Sequence, residues 1–195
     1  MTVPHTSYTA DQASPSVLFD SMRHDAKVLA ELVLKHLKPK HLNPGQPVYL
    51  AATFPDDPEL SGVPAVAQIH TCGDAAATLP SERTLYLERA LQRIDVLTQH
   101  PGIKTSWHWR TEGKPREVGQ RGGGVRTHKR LIAIAGLGEP FSEAVALVLA
   151  VTYHELTHKE ALALTRPKAK AARDRNPFFA VLYILWQNHR GLLTQ

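Results

Sequence analysis

At 195 residues, 43% of them hydrophobic and 21% charged, the chain has the size and composition of one globular domain with extensions, which excludes a disordered polymer. A single cysteine, Cys72, excludes an internal disulfide, a cysteine-based zinc finger and a CxxC redox pair, so the expected setting is reducing and cytoplasmic. The formal charge of +5 is local: from Arg166 to Arg175 five basic residues face Asp174, which accounts for four of the five net charges, and nucleic acid is therefore not an expected partner.

No uninterrupted apolar run approaches about 18 residues, and no basic stretch followed by an apolar one opens the chain, so neither a membrane span nor secretion is expected. Residues 1–15, with Pro4, Ser7, Thr9, Ser14 and Pro15 and few large apolar groups, read as a flexible leader. Phe19, Met22, Ala26, Leu29, Val33 and Leu37 then recur at helical spacing, and Pro39, Asn43, Pro44 and Gly45 break the helix. Val48 to Phe54 and Val63 to His70 are apolar runs on either side of a turn at Asp56, Asp57, Pro58 and Gly62, and they predict a hairpin.

Leu85, Leu87, Leu91, Ile94 and Leu97 predict a second helix that stops at Pro101-Gly102. A strand is expected over Ile103 to Arg110, followed by a surface loop from Thr111 to Gly124 that is rich in glycine and charge. Leu131 to Ala135 predicts a buried strand closed by Gly136 and Gly138. Pro140, Ser142 and Glu143 open a long helix that Pro167 ends, and Asn176-Pro177 caps a last helix carrying Phe178, Phe179, Val181, Leu182, Ile184, Leu185 and Trp186. The expected organisation is a leader at 1–15, one α+β domain at 16–166, and a basic linker with an added C-terminal apolar helix at 167–195. A hairpin cannot enter an all-parallel sheet, so the fold class is α/β of the α+β kind, an antiparallel sheet flanked by helices.

Three consecutive stretches carry a family likeness: Gly122-Gly123-Gly124-Val125, then Leu131 to Leu137 with its glycine at 136, then Glu139-Pro-Phe-Ser-Glu143-Ala-Val. Together with the order of the preceding elements, they make residues 16–158 resemble the GlcG/HbpS-like group of haem-degrading or haem-binding domains. That resemblance implies an antiparallel sheet flanked by helices, haem or another small molecule as ligand, and a symmetric homo-oligomer. It assigns no haem ligand residue by residue, and the linker and helix beyond Arg166 depart from the family's compact pattern.

One catalytic signature is present: His154-Glu155-Leu156-Thr157-His158 matches HExxH. On a continuous helix His154 and His158 share one face and suit zinc, with Glu155 placed to activate a bound water, as in a zinc-dependent hydrolase or peptidase. Against that reading, the chain has 11 histidines, Glu160 is too close to reach the same metal, and His189 lies beyond the basic linker, so no third ligand stands in a usual place. A solvated or partly packed helix end is the preferred reading. His70 and Cys72 close the second strand and offer haem or metal ligands, against the plainer reading of a strand end with a buried thiol. Trp107, His108 and Trp109 offer a stacking strip, or simply one face of a strand in the core. Arg121, Gly122, Gly123, Gly124 and Arg126 lack a phosphate-loop pattern and read as a flexible turn. The last helix is apolar on nearly all sides and must pack on the domain or on another subunit. The sequence thus favours a small-ligand-binding, self-associating domain. A zinc hydrolase and a basic nucleic-acid-associated protein are the alternatives.

Overall fold

The structure, a computed structural model, describes residues 14–38, 47–56, 63–69, 80–106, 122–165 and 176–192. Its first helix, α1 (Pro15–Leu32), starts where Ser14 accepts a hydrogen bond from the Val17 amide and Pro15 occupies the first turn, a position that needs no amide donor. A π-helical turn, Val33–Leu37, extends it to Lys38, whose left-handed backbone stops it. The expected hairpin is present: β1 (Val48–Ala52) pairs antiparallel with β2 (Ala65–Ile69), Val48 opposite Ile69. Helix α2 (Pro80–Gln99) crosses to β3 (Gly124–Arg126) and β4 (Leu131–Ala135), and the sheet order is β2-β1-β4-β3, antiparallel throughout.

Strand alternation sorts the core into two layers, and residue size sets how each is covered. Val48, Leu50, Ala52, Ile132 and Ile134 face one side, where they join α1 and the helix that follows β4, α3 (Glu139–Thr152). Tyr49, Ala51, Leu131, Ala133 and Ala135 face the other side, under Ala90, Ile94 and Leu97 of α2. Alanines on that face let α2 approach closely. Gly124 continues the trend, since a β-carbon there would lie 3.1 Å from the Leu97 side chain. Both faces of the sheet are therefore covered, which is why β1 and β4 are buried at every position.

The three glycines at 122–124, expected in a surface loop, are buried, because this is where the chain enters the sheet beneath α2. The Arg93 side chain is buried there and donates to the Ile134 carbonyl, and the Gly124 amide donates to Ser106 Oγ at 2.8 Å. Gly136 turns the chain out of β4 with φ +108°, and a β-carbon would collide with the Pro47 carbonyl, so no other residue fits.

Helix α3 is buried on all sides from Ser142 to Ala150, as its unbroken apolar run from Ala144 onward requires. It does not run on to Pro167. It ends at Thr152, and a separate short helix, α4 (His158–Leu164), begins after a five-residue corner. The final helix, α5 (Phe178–His189), is no appendage: Phe179, Leu182 and Trp186 lie in the same core as α1, α3 and the sheet. Asn176 fixes its start, accepting from the Phe178 amide at 3.1 Å while its own amide group donates to the Pro140 carbonyl at 2.8 Å. Among the described residues no helix is long and apolar enough to cross a membrane.

Candidate ligand-binding cleft

The HExxH residues form the corner between α3 and α4 and do not lie along one helix. His154 sits in the left-handed region at φ +57°. Its amide donates to the Val151 carbonyl at 3.1 Å, and the Glu155 amide donates to the Ala150 carbonyl at 2.9 Å. This bond pair is a Schellman C-cap, with His154 where glycine is the usual occupant. Two residues on, the Thr157 hydroxyl accepts from the Glu160 amide at 3.2 Å, and the Glu160 carboxylate accepts from the Thr157 amide at 2.7 Å, a complete capping box that starts α4. One helix therefore stops and another starts inside the pentapeptide, and the one-face spacing of His154 and His158 that zinc requires is not formed.

Glu155 faces inward. It is 1% exposed, forms an ion pair with Arg130 and accepts from the Thr127 hydroxyl at 2.8 Å, and the His128 amide donates to its carbonyl. Burial pushes its carboxyl above the ordinary range, and the Arg130 charge and the Thr127 hydrogen bond oppose that shift. Arg130 lies over the Phe54 ring at 4.7 Å. Glu155 thus staples the helix corner to the β3–β4 turn, a role unlike that of a base beside a metal-bound water. Among the described residues no three His, Cys, Asp or Glu side chains gather as a metal ion needs.

Both histidines nevertheless reach one place. A cleft of about 520 Å³ lies between the corner and α5, lined by His154, His158, Tyr183, Gln187 and Arg190, by the hydroxyl residues Thr152 and Thr157, and by Val151, Leu156 and Leu192 on its apolar side. The His158 ring is 4.7 Å from the Tyr183 ring and 5.6 Å from Phe179, so the far wall is aromatic. The walls are anchored from behind: Trp186 Nε1 donates to Thr152 Oγ1 at 2.9 Å, and Tyr153 donates to Asp25 of α1 at 2.9 Å. Burial first, then Asp25, pushes the Tyr153 phenol far above its ordinary value, so it remains a donor.

Helix α5 serves three purposes on three faces: Phe179, Leu182 and Trp186 in the core, Tyr183, Gln187 and Arg190 at the cleft, and Val181 and Ile184 turned outward. The cleft residues on α5 were not among the sequence candidates. Their signal was the polar set at 183, 187 and 190, one helical face within an otherwise apolar stretch. His70, Cys72, the strip at 107–109, Arg121 and the basic run at 166–175 lie outside the described residues. No family model, curated protein or solved structure matches the chain.

Proposed function

We propose that the protein is a small-ligand-binding domain whose ligand occupies the cleft between the α3–α4 corner and α5. The observation that carries this reading is a ligand-sized cleft onto which His154, His158, Tyr183, Gln187 and Arg190 converge over an apolar floor. The strained backbone at His154 adds support, since a left-handed non-glycine residue costs stability and such sites cluster where function sets the conformation. An antiparallel sheet flanked by helices is also what the GlcG/HbpS-like resemblance implies.

Haem, the group that resemblance suggests, fits the donor set in type. His154 or His158 offers an imidazole for iron, and Arg190 offers a cation for a propionate. Haem would supply iron-centred electron or oxygen chemistry, and the chain's contribution would be to bind and orient. The test is a two-dimensional amide NMR screen with a fragment set, together with a haemin titration. Shifts clustered at residues 151–158 and 183–192 are expected, and a screen that leaves these resonances unmoved sinks the reading. A haemin absorption band that shifts on binding and is lost in the double variant His154→Ala/His158→Ala would assign haem.

Self-association belongs to the same reading, with a second copy of the chain as occupant of the outward face of α5. Val181 is 46% and Ile184 54% exposed, one turn apart, and no charged residue occurs from Phe178 to Asn188. Two such faces can therefore meet without desolvating a charge. Sedimentation velocity should find a dimer that Ile184→Glu converts to monomer, and a wild type monomeric at all accessible concentrations would refute it.

A further inference from the structure

Resting on the cleft as a binding site, we infer that its ligand is a small aromatic carboxylate, its anionic group held by Arg190 with His154 and its ring laid against the His158–Tyr183 wall. The charge of the lining is one-sided. Among the described residues, Arg190 and two imidazoles contribute every ionisable group of the lining besides the Tyr183 phenol, and no carboxylate lines the cleft. The two carboxylates that the corner itself carries are turned to other work: Glu155 is buried on Arg130 and Thr127, and Glu160 is held by Thr157 and His128. An anion entering the cleft thus meets the Arg190 guanidinium without meeting a carboxylate of the described lining, whereas an amine meets like charge. Arg190 lies 5.7 Å from the Trp186 ring, and the indole of Trp186 is itself tied to Thr152, so the guanidinium has a fixed aromatic neighbour at the mouth.

Ring selection comes from the opposite wall. His158 and Tyr183 line it with 4.7 Å between their ring centroids, and the fully buried Phe179 backs Tyr183 at 5.9 Å. Val151, Leu156 and Leu192 supply the apolar floor, a surface suited to a flat ring.

The test uses the full chain and three probes that share one ring and differ in charge: 2-naphthoate, 2-naphthamide and 2-naphthylmethylamine, titrated by amide NMR. 2-Naphthoate should bind about tenfold or more tightly than the amide, the difference a charge-assisted hydrogen bond supplies. In Arg190→Gln that preference should collapse while both ligands still shift cleft resonances, and Arg190→Lys should restore part of it. Tyr183→Leu should weaken acid and amide together, leaving the preference intact. Equal affinity for acid and amide, a preference for the amine, or a preference that Arg190→Gln leaves unchanged would each overturn this ligand class while the cleft remains a binding site. Failure of all three probes and of the fragment set to move the cleft resonances would overturn the site itself.

Discussion

Glu155 is the residue at which a catalytic pattern and a structural role compete, and burial decides between them. With Glu155 1% and Arg130 10% exposed, truncating the acid strands a guanidinium in a nearly dry site, so Glu155→Ala should cost about 3–5 kcal/mol in urea unfolding. The pH dependence has a definite sign. A carboxyl whose folded pKa is raised contributes stability below its unfolded value of about 4.3, and that contribution is lost as pH rises through the folded value. Stability should therefore fall less steeply from about pH 4 upward in Glu155→Gln than in wild type. Glu160 behaves oppositely. The Thr157 amide and hydroxyl, then His128, hold its carboxyl down at about 2, so its contribution is present above the unfolded value and disappears as pH falls toward 2. Glu160→Gln should flatten the acid limb of the stability profile between about pH 4 and 2, and an unchanged limb would remove the capping box from the energetics.

At the scale of elements, the α3–α4 corner shows why a five-residue motif is weak without its backbone. HExxH asks for helix across its whole length, but Thr157-His-Lys-Glu160, which overlaps its end, is also an [ST]-x-x-[DE] helix start, and the two demands are incompatible. The helix start was legible in the sequence. The preceding stop was not, because a Schellman cap is normally announced by glycine and here the position holds histidine. The hairpin, β4 and the first turn of α3 were legible for the converse reason: Pro140, Gly136 and the apolar runs each favour one local structure. Replacing His154 with glycine relieves the left-handed strain, so His154→Gly should leave the fold unchanged and raise stability by up to about 1 kcal/mol. A continuous helix would respond with a loss of about 1 kcal/mol instead. Thermal unfolding therefore separates the two backbones by sign, and loss of ligand shifts in the same variant would separate the cost of the residue from its use.

For the whole molecule the question is whether α5 is an attachment or part of the domain. A basic run between residues 166 and 175 made it read as an addition, because charge and alanine there carry no packing signal across the gap. Of the two partners open to its apolar surface, the domain or another subunit, the domain takes one face. Phe179 and Leu182 are fully buried, Trp186 nearly so, and all three lie in the core built by α1, α3 and the sheet. The Thr165 carbonyl accepts from the Asn176 amide at 3.2 Å, so the two ends of the basic segment are held together at the base of α5. If α5 were an attachment, the signal of Trp186, isolated in a Trp107→Phe/Trp109→Phe background, would melt before the backbone signal of the remaining helices. Sharing one core, they must unfold together. Tryptophan fluorescence and far-ultraviolet circular dichroism should accordingly give one coincident urea transition. Trp186→Ala should lower stability by about 3–5 kcal/mol, since it removes both a buried ring and the donor to Thr152. Two separated transitions would detach α5 from the domain, and the cleft would go with it, because Tyr183, Gln187 and Arg190 reach the two histidines only while α5 is packed against α3.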